Sequence, residues 1–143
     1  MKTVRQLLEI KGRDVVVISP NASLFDATQL MTTTHIGALL VLDAANKLVG
    51  IVSERDCARK IAMLNRLMSD VRVAEIMTSK IAYVRPEQTN EECMALVTEK
   101  RVRHLPVLEN DRLIGLLSIG DLVKDAISEK DFIIEQLVNY IRG

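Results

Sequence analysis

The sequence has no tryptophan, two tyrosines, two phenylalanines and two cysteines in 143 residues, and its 19 basic side chains are cancelled by 19 acidic ones. Each shortage removes something. With 3% aromatic against 48% hydrophobic content, the core must be built from Val, Ile, Leu, Ala and Met. Without an overall positive field, counterion release gives no drive toward nucleic acid, and acidic membranes exert no pull. No apolar run approaches the length of a membrane span. The amino end, Met1-Lys2-Thr3-Val4-Arg5-Gln6, lacks the apolar stretch of a secretion signal. Cys57 and Cys93 have no second Cys or His at metal-ligand spacing, so both are read as small packing residues in a reducing compartment. The expectation is a cytoplasmic protein with no metal, no nucleic-acid partner and no membrane partner.

Enzyme signatures are missing as well. There is no Gly-x-Ser-x-Gly elbow, no His-Glu-x-x-His zinc motif and no phosphate loop ending in Gly-Lys-Ser/Thr. Two histidines without an acid or thiol in a triad-like arrangement argue against a nucleophilic site. No catalytic residues and no catalytic cofactor are expected.

What is present is a repeat. Gly50-Ile51-Val52-Ser53-Glu54-Arg55-Asp56 returns as Gly115-Leu116-Leu117-Ser118-Ile119-Gly120-Asp121. The match extends far upstream at one constant offset: Pro20 falls on Pro86, Ser23 on Thr89, Asp26 on Glu92, Leu30 on Leu96 and Val41 on Val107. One residue is dropped in the following turn, where such changes are tolerated. Two long copies do not make a solenoid; they suggest two α/β units whose sheet faces are buried against each other.

Pattern places the elements. A short helix covers 3–10, and the β-branched run Val15–Ile18 reads as a buried strand. Ser23 with Asp26 caps a helix over about 24–34. Ala38–Leu42 and Leu48–Val52 form a hairpin, and Ser53 starts a helix. A polar link around Asn65–Asp70 leads to the second copy: a short helix at Val73–Met77, a strand at Ile81–Val84, and a helix capped by Thr89 and Glu92. A hairpin of Leu105–Leu108 with Leu113–Leu117 follows, then a helix opened by Ser118. Ser128 with Asp131 is read as the cap of a separate carboxyl-terminal helix carrying Ile134, Leu137, Val138 and Ile141 on one stripe. His35 reads as a helix-end residue.

The doubled Gly-h-h-Ser-x-x-Asp, the Ile76-Met77-Thr78 opening and Arg103-His104-Leu105-Pro106-Val107 resemble a tandem pair of cystathionine β-synthase (CBS) domains, over about residues 1–127. The resemblance extends to small stand-alone bacterial and plant organellar members. It implies an α+β fold of α/β sandwich units: two βαββα repeats packed as a pseudo-two-fold pair. The expected division is 1–66 for the first repeat with its amino-terminal helix, 67–127 for the second, and 128–143 for an amphipathic helix at a dimer contact.

The resemblance also implies a function. Such pairs often sense adenosine nucleotides: the Asp binds the ribose diol, the Ser contacts ribose or phosphate, and the start of the other repeat's first strand holds the base. Carried over residue by residue, one site comprises Ser53, Arg55, Asp56, Thr78, Lys80, Ile81 and Ala82. The other comprises Ser118, Asp121, Arg103, His104, Arg13, Asp14, Val15 and Val16, although Lys11-Gly12-Arg13 lacks the Met-Thr of 77–78. Physical chemistry agrees with these roles, because a carboxylate suits two neighbouring hydroxyls and a helix start suits phosphate. The expected ligands are AMP, ADP, ATP, NAD(H) or S-adenosylmethionine. The expected partners are a second copy of the chain and an unidentified regulated protein. The competing readings are a ligand-free dimerisation module, in which both Ser-x-x-Asp stretches are only helix caps, and a nucleotide-processing enzyme.

Overall fold

Short polar residues followed three positions later by an acid or amide set where several helices begin. Thr3 with Gln6, Ser23 with Asp26 and Thr89 with Glu92 each form a complete capping box, satisfying N–H groups that a helix start leaves open. They open α1 (Val4–Lys11), α2 (Leu24–Thr34) and α5 (Asn90–Lys100). At their other ends α2 and α5 close on left-handed residues, His35 at φ 56° and Arg101 at φ 54°. His35 is thus the helix-end residue that the sequence suggested.

The computed structural model describes residues 1–142, which fall into two compact units. The unit Val15–Ile81 holds β1 (Val17–Ile18), α2, β2 (Ala38–Leu42), β3 (Leu48–Ser53), α3 (Glu54–Leu64), a 3₁₀ turn at Met68–Asp70 and α4 (Val73–Ile76). Its sheet runs β1-β2-β3, with β1 parallel to β2 and β2 antiparallel to β3. Leu24, Ala27, Met31, Leu39, Val41, Val52 and Ile76 are buried in its core. The run at 15–18 is a correction. Only Val17 and Ile18 pair with β2, at the edge of the sheet, and Val17 is 42% exposed.

The second unit joins Met1–Asp14 to the chain from Ala82 onward. It holds α1, α5, the antiparallel pair β4 (His104–Glu109) and β5 (Arg112–Ser118), and α6 (Ile119–Arg142). The strand expected at Ile81–Val84 shrinks to a single bridge between Val84 and Val107. The reason is Pro106. In the first unit the Leu40 N–H donates to the Val16 carbonyl. The matching position in the second is proline, which has no N–H to give Ala82.

One further expectation changes. The helix α6 runs unbroken for 24 residues, so Ser128 and Asp131 cap nothing. No proline or glycine interrupts Asp121–Arg142, and a serine inside a helix costs too little to stop it. The compact units draw on both sequence repeats. The opening helix of each repeat packs with the hairpin of the other repeat: α1 in the unit of β4 and β5, α4 in the unit of β3.

The repeated glycines explain that docking. A Cβ on Gly115 would lie 2.7 Å from Leu8 Cδ2, and one on Gly50 would run into the Met77 side chain. A strand glycine marks a close approach, and here the approaching groups are apolar side chains of the chain itself.

Candidate functional site

In the first unit, Ser53 ends β3 and caps α3. Its Oγ accepts the Asp56 N–H at 3.1 Å. The reciprocal half of a capping box is missing. The Asp56 carboxylate does not reach back to Ser53, and among the described residues it takes no hydrogen bond. A half-buried acid with no partner stands beside a helix start. Across the same strand, Thr78 pairs through its backbone with Ile51, donating at 2.9 Å and accepting at 3.0 Å. Lys80, Arg55 and Arg59 are exposed, and Ile81 is half-buried. Ala82 belongs to the other unit.

In the second unit, Ser118 and Asp121 stand at the matching places but are bonded differently. The Asp121 Oδ2 accepts the Ser118 N–H at 2.8 Å and the Ser118 hydroxyl at 3.0 Å, while Ser118 Oγ accepts the Asp121 N–H at 3.2 Å. This box is closed. Oδ2 also receives the Lys11 ammonium at 2.6 Å, and the same ammonium donates to the Leu116 carbonyl at 2.6 Å. Burial opposes ionisation of Asp121, but the Lys11 ammonium and the Ser118 donors outweigh it and hold the carboxyl below its usual range.

His104 faces Ser118 in the β4–β5 register and is half-buried. Burial lowers its imidazole pKa. The Lys11 and Arg103 cations lower it further, and Asp121 partly opposes them. Arg103 is exposed, and its carbonyl accepts the first N–H of α6, that of Ile119, at 3.0 Å. Arg13 and Asp14 are exposed just past Gly12, which sits at φ 98°. Val15 and Val16 belong to the first unit.

The depressed His104 value has a consequence for stability. The unfolded imidazole takes up its proton near pH 6.5, before the folded one does. The unliganded fold is therefore expected to lose stability as pH falls through that value toward the folded pKa. Urea unfolding at pH 7.5 and 5.5 measures this, with the loss smaller in His104→Asn. An equal loss in that variant assigns the effect to other groups.

Sequence reasoning missed Lys11. A signal was there, because Thr3-x-x-Gln6 at α1 matches Arg72-x-x-Glu75 at α4, and the same alignment puts Leu8 on Met77 and Lys11 on Lys80. The two cysteines are buried and free. Burial first, then neighbouring carboxylates (Asp56 for Cys57, Glu92 for Cys93), push both thiols up to about 11. Among the described residues, no cluster of His, Cys, Asp and Glu could hold a metal, and no helix is long and apolar enough to cross a membrane.

What remains chemically is a pair of helix starts, each with a serine and a carboxylate, one carboxylate free and one bonded to an ammonium. Hydroxyl donors can bond to a free carboxylate, and helix-start N–H groups favour negative charge.

The chain is 33% identical over 149 residues to the mitochondrial CBS domain-containing protein CBSX3 of Arabidopsis thaliana, covering 99% of this chain and 72% of that protein. The crystal structure of the CBS domain NE2398 superposes with a TM-score of 0.85 at 58% identity, covering 89% of this chain and 99% of that one. The CBS-domain containing protein ATU1752 from Agrobacterium tumefaciens gives 0.83 at 37% identity, covering 87% and 99%. By contrast, the chain spans only 24% of the inosine-5'-monophosphate dehydrogenase of Methanocaldococcus jannaschii. Stand-alone pairs of this kind are generally regulatory rather than catalytic. The CBS domain model matches residues 7–63 and again 73–128, one match for each copy of the Ser-x-x-Asp stretch, and the chain belongs to the CBS-domain family as a tandem pair.

Proposed function

We propose that this chain is a regulatory module that binds adenosine-containing nucleotides at two sites, one at Asp56 and one at Asp121, and acts on a partner protein as a homodimer. The observation that carries the reading is the Asp56 carboxylate, which no cap uses and which stands at a helix start. A ribose diol supplies the two donors that such a carboxylate lacks. Ser53 and the first N–H groups of α3 suit a phosphate, with Arg55, Lys80 and the Thr78–Ile81 edge alongside. At the second site the corresponding set is Ser118, Asp121, Arg103, His104, Arg13 and Asp14. No catalytic step is part of this reading.

One observation favours the ligand-free alternative at the second site only. Asp121 already completes a capping box. Thermal shift separates the two readings. AMP, ADP, ATP, NAD, NADH and S-adenosylmethionine are each added to the full chain. A ligand at about 100 times its dissociation constant stabilises by about 2.7 kcal/mol, which raises the melting point of a domain this size by several degrees. At least one of the six is expected to do so. No shift with any of them overturns the sensor reading.

A homodimer is supported by the outer part of α6. Phe132, Ile133, Ile134, Leu137, Tyr140 and Ile141 are each more than half exposed in the single chain, and a contiguous apolar surface of this kind marks an interaction site.

A further inference from the structure

We infer that Lys11 is the residue that makes the Asp121 site selective for a phosphate-bearing ligand. The inference rests on the nucleotide reading above and assigns a residue to it. Ile51 and Leu116 are matching strand residues next to the two repeated glycines. At Ile51 the carbonyl is bonded by a backbone N–H, that of Thr78. At Leu116 the carbonyl is bonded by the Lys11 side chain. The difference comes from helix length. The short α4 ends at Ile76 and leaves Thr78 extended to pair with the strand, whereas α1 runs on to Lys11. A neutral backbone edge in one unit is replaced by an ammonium in the other, and that ammonium sits on the carboxylate of Asp121.

This changes what each carboxylate can accept. Asp56 is open to a diol. Asp121 Oδ2 already holds three donors, of which the two from Ser118 belong to the helix cap. Oδ1 takes no hydrogen bond among the described residues, so a ribose diol that uses both carboxylate oxygens competes with Lys11 for Oδ2. An uncharged nucleoside would leave the ammonium without its anion. A nucleoside phosphate supplies a replacement anion for the ammonium that it displaces. Lys11 therefore acts as a bolt that a phosphate releases; its aligned counterpart Lys80 is exposed and, among the described residues, forms no ion pair with Asp56.

The test uses full-length chain carrying Asp56→Ala, so that only the Asp121 site remains, titrated calorimetrically with AMP and with adenosine. AMP is expected to bind at least about tenfold tighter than adenosine, the size of one hydrogen bond to a charged group. Lys11→Met is expected to bring the ratio close to one, mainly by weakening AMP, and Lys11→Arg to restore most of it. Independently of any ligand, Lys11→Met should raise the His104 pKa in an NMR titration, since it removes a cation facing that ring while Asp121 and Arg103 stay. A parent that binds both ligands equally, or a Lys11→Met variant that weakens both in proportion, overturns the role of Lys11 and leaves the nucleotide reading standing. A parent that binds neither overturns the nucleotide reading at this site, and the role of Lys11 with it.

Discussion

Asp56→Ala is expected to weaken nucleotide binding at its site by roughly tenfold to a hundredfold or more while leaving the unliganded melting point nearly unchanged. The magnitude follows from the loss of an ionised acceptor for two ribose hydroxyls, each such hydrogen bond being worth about 1.5–3 kcal/mol net. The small effect on stability follows from the bonding of Asp56. Its carboxylate completes no capping box, so the variant loses only the favourable field of an acid in a first helical turn, about 0.3–1 kcal/mol. Asp121→Ala removes the Ser118 N–H and hydroxyl acceptor and the Lys11 partner together. The cap contributes about 0.5–2 kcal/mol, and the part-exposed ion pair adds at most about 1 kcal/mol. The Asp121 variant therefore loses affinity at its own site and a few degrees of melting point as well. Calorimetry and thermal melts on the parent and both variants decide it. Two variants that bind like the parent would take both carboxylates out of the binding sites and end the sensor reading.

The second large effect is expected in the assembly. Replacing Ile134 and Leu137 with aspartate in the outer part of α6 should convert a homodimer into a monomer of 16.0 kDa. Both residues are more than half exposed in the single chain. Burying an Ile or Leu side chain fully is worth about 1.5–3 kcal/mol, and a two-fold interface loses each of them twice. Four new charges at the same contact add their desolvation cost. A weakening of at least about a thousandfold in dimer affinity is therefore expected, read by light scattering across micromolar concentrations. Circular dichroism should stay close to that of the parent, because neither side chain belongs to a core cluster. A parent that is monomeric across the same range overturns the homodimer.

What the sequence determined by itself is whatever local chemistry decides. Helix starts were legible because Ser23 with Asp26 and Thr89 with Glu92 close their boxes within three residues. The hairpins were legible because alternation and turn residues are short-range signals; β2 falls on Ala38–Leu42 as read. The doubled Gly-h-h-Ser-x-x-Asp, together with Ile76-Met77-Thr78 and Arg103-His104-Leu105-Pro106-Val107, pointed to the family. It failed where a partner distant in the chain intervened. Val15–Ile18 became a two-residue edge strand because only β2 could tell which of its residues would pair. The strand near Val84 was reduced because Pro106, on another element, had no N–H to offer.

The difference between the two sites is of the same kind. Ser53 and Asp56 carry the same motif as Ser118 and Asp121, and no local rule distinguishes them. Only the tertiary structure brings Lys11 to Asp121 across 110 positions of sequence. It does so because α1 is one turn longer than α4. Motif chemistry fixed which groups stand at the helix starts, and the packing of a distant helix decided which carboxylate stays free, because an ion pair depends on position in space and the Ser-x-x-Asp spacing is the same in both copies.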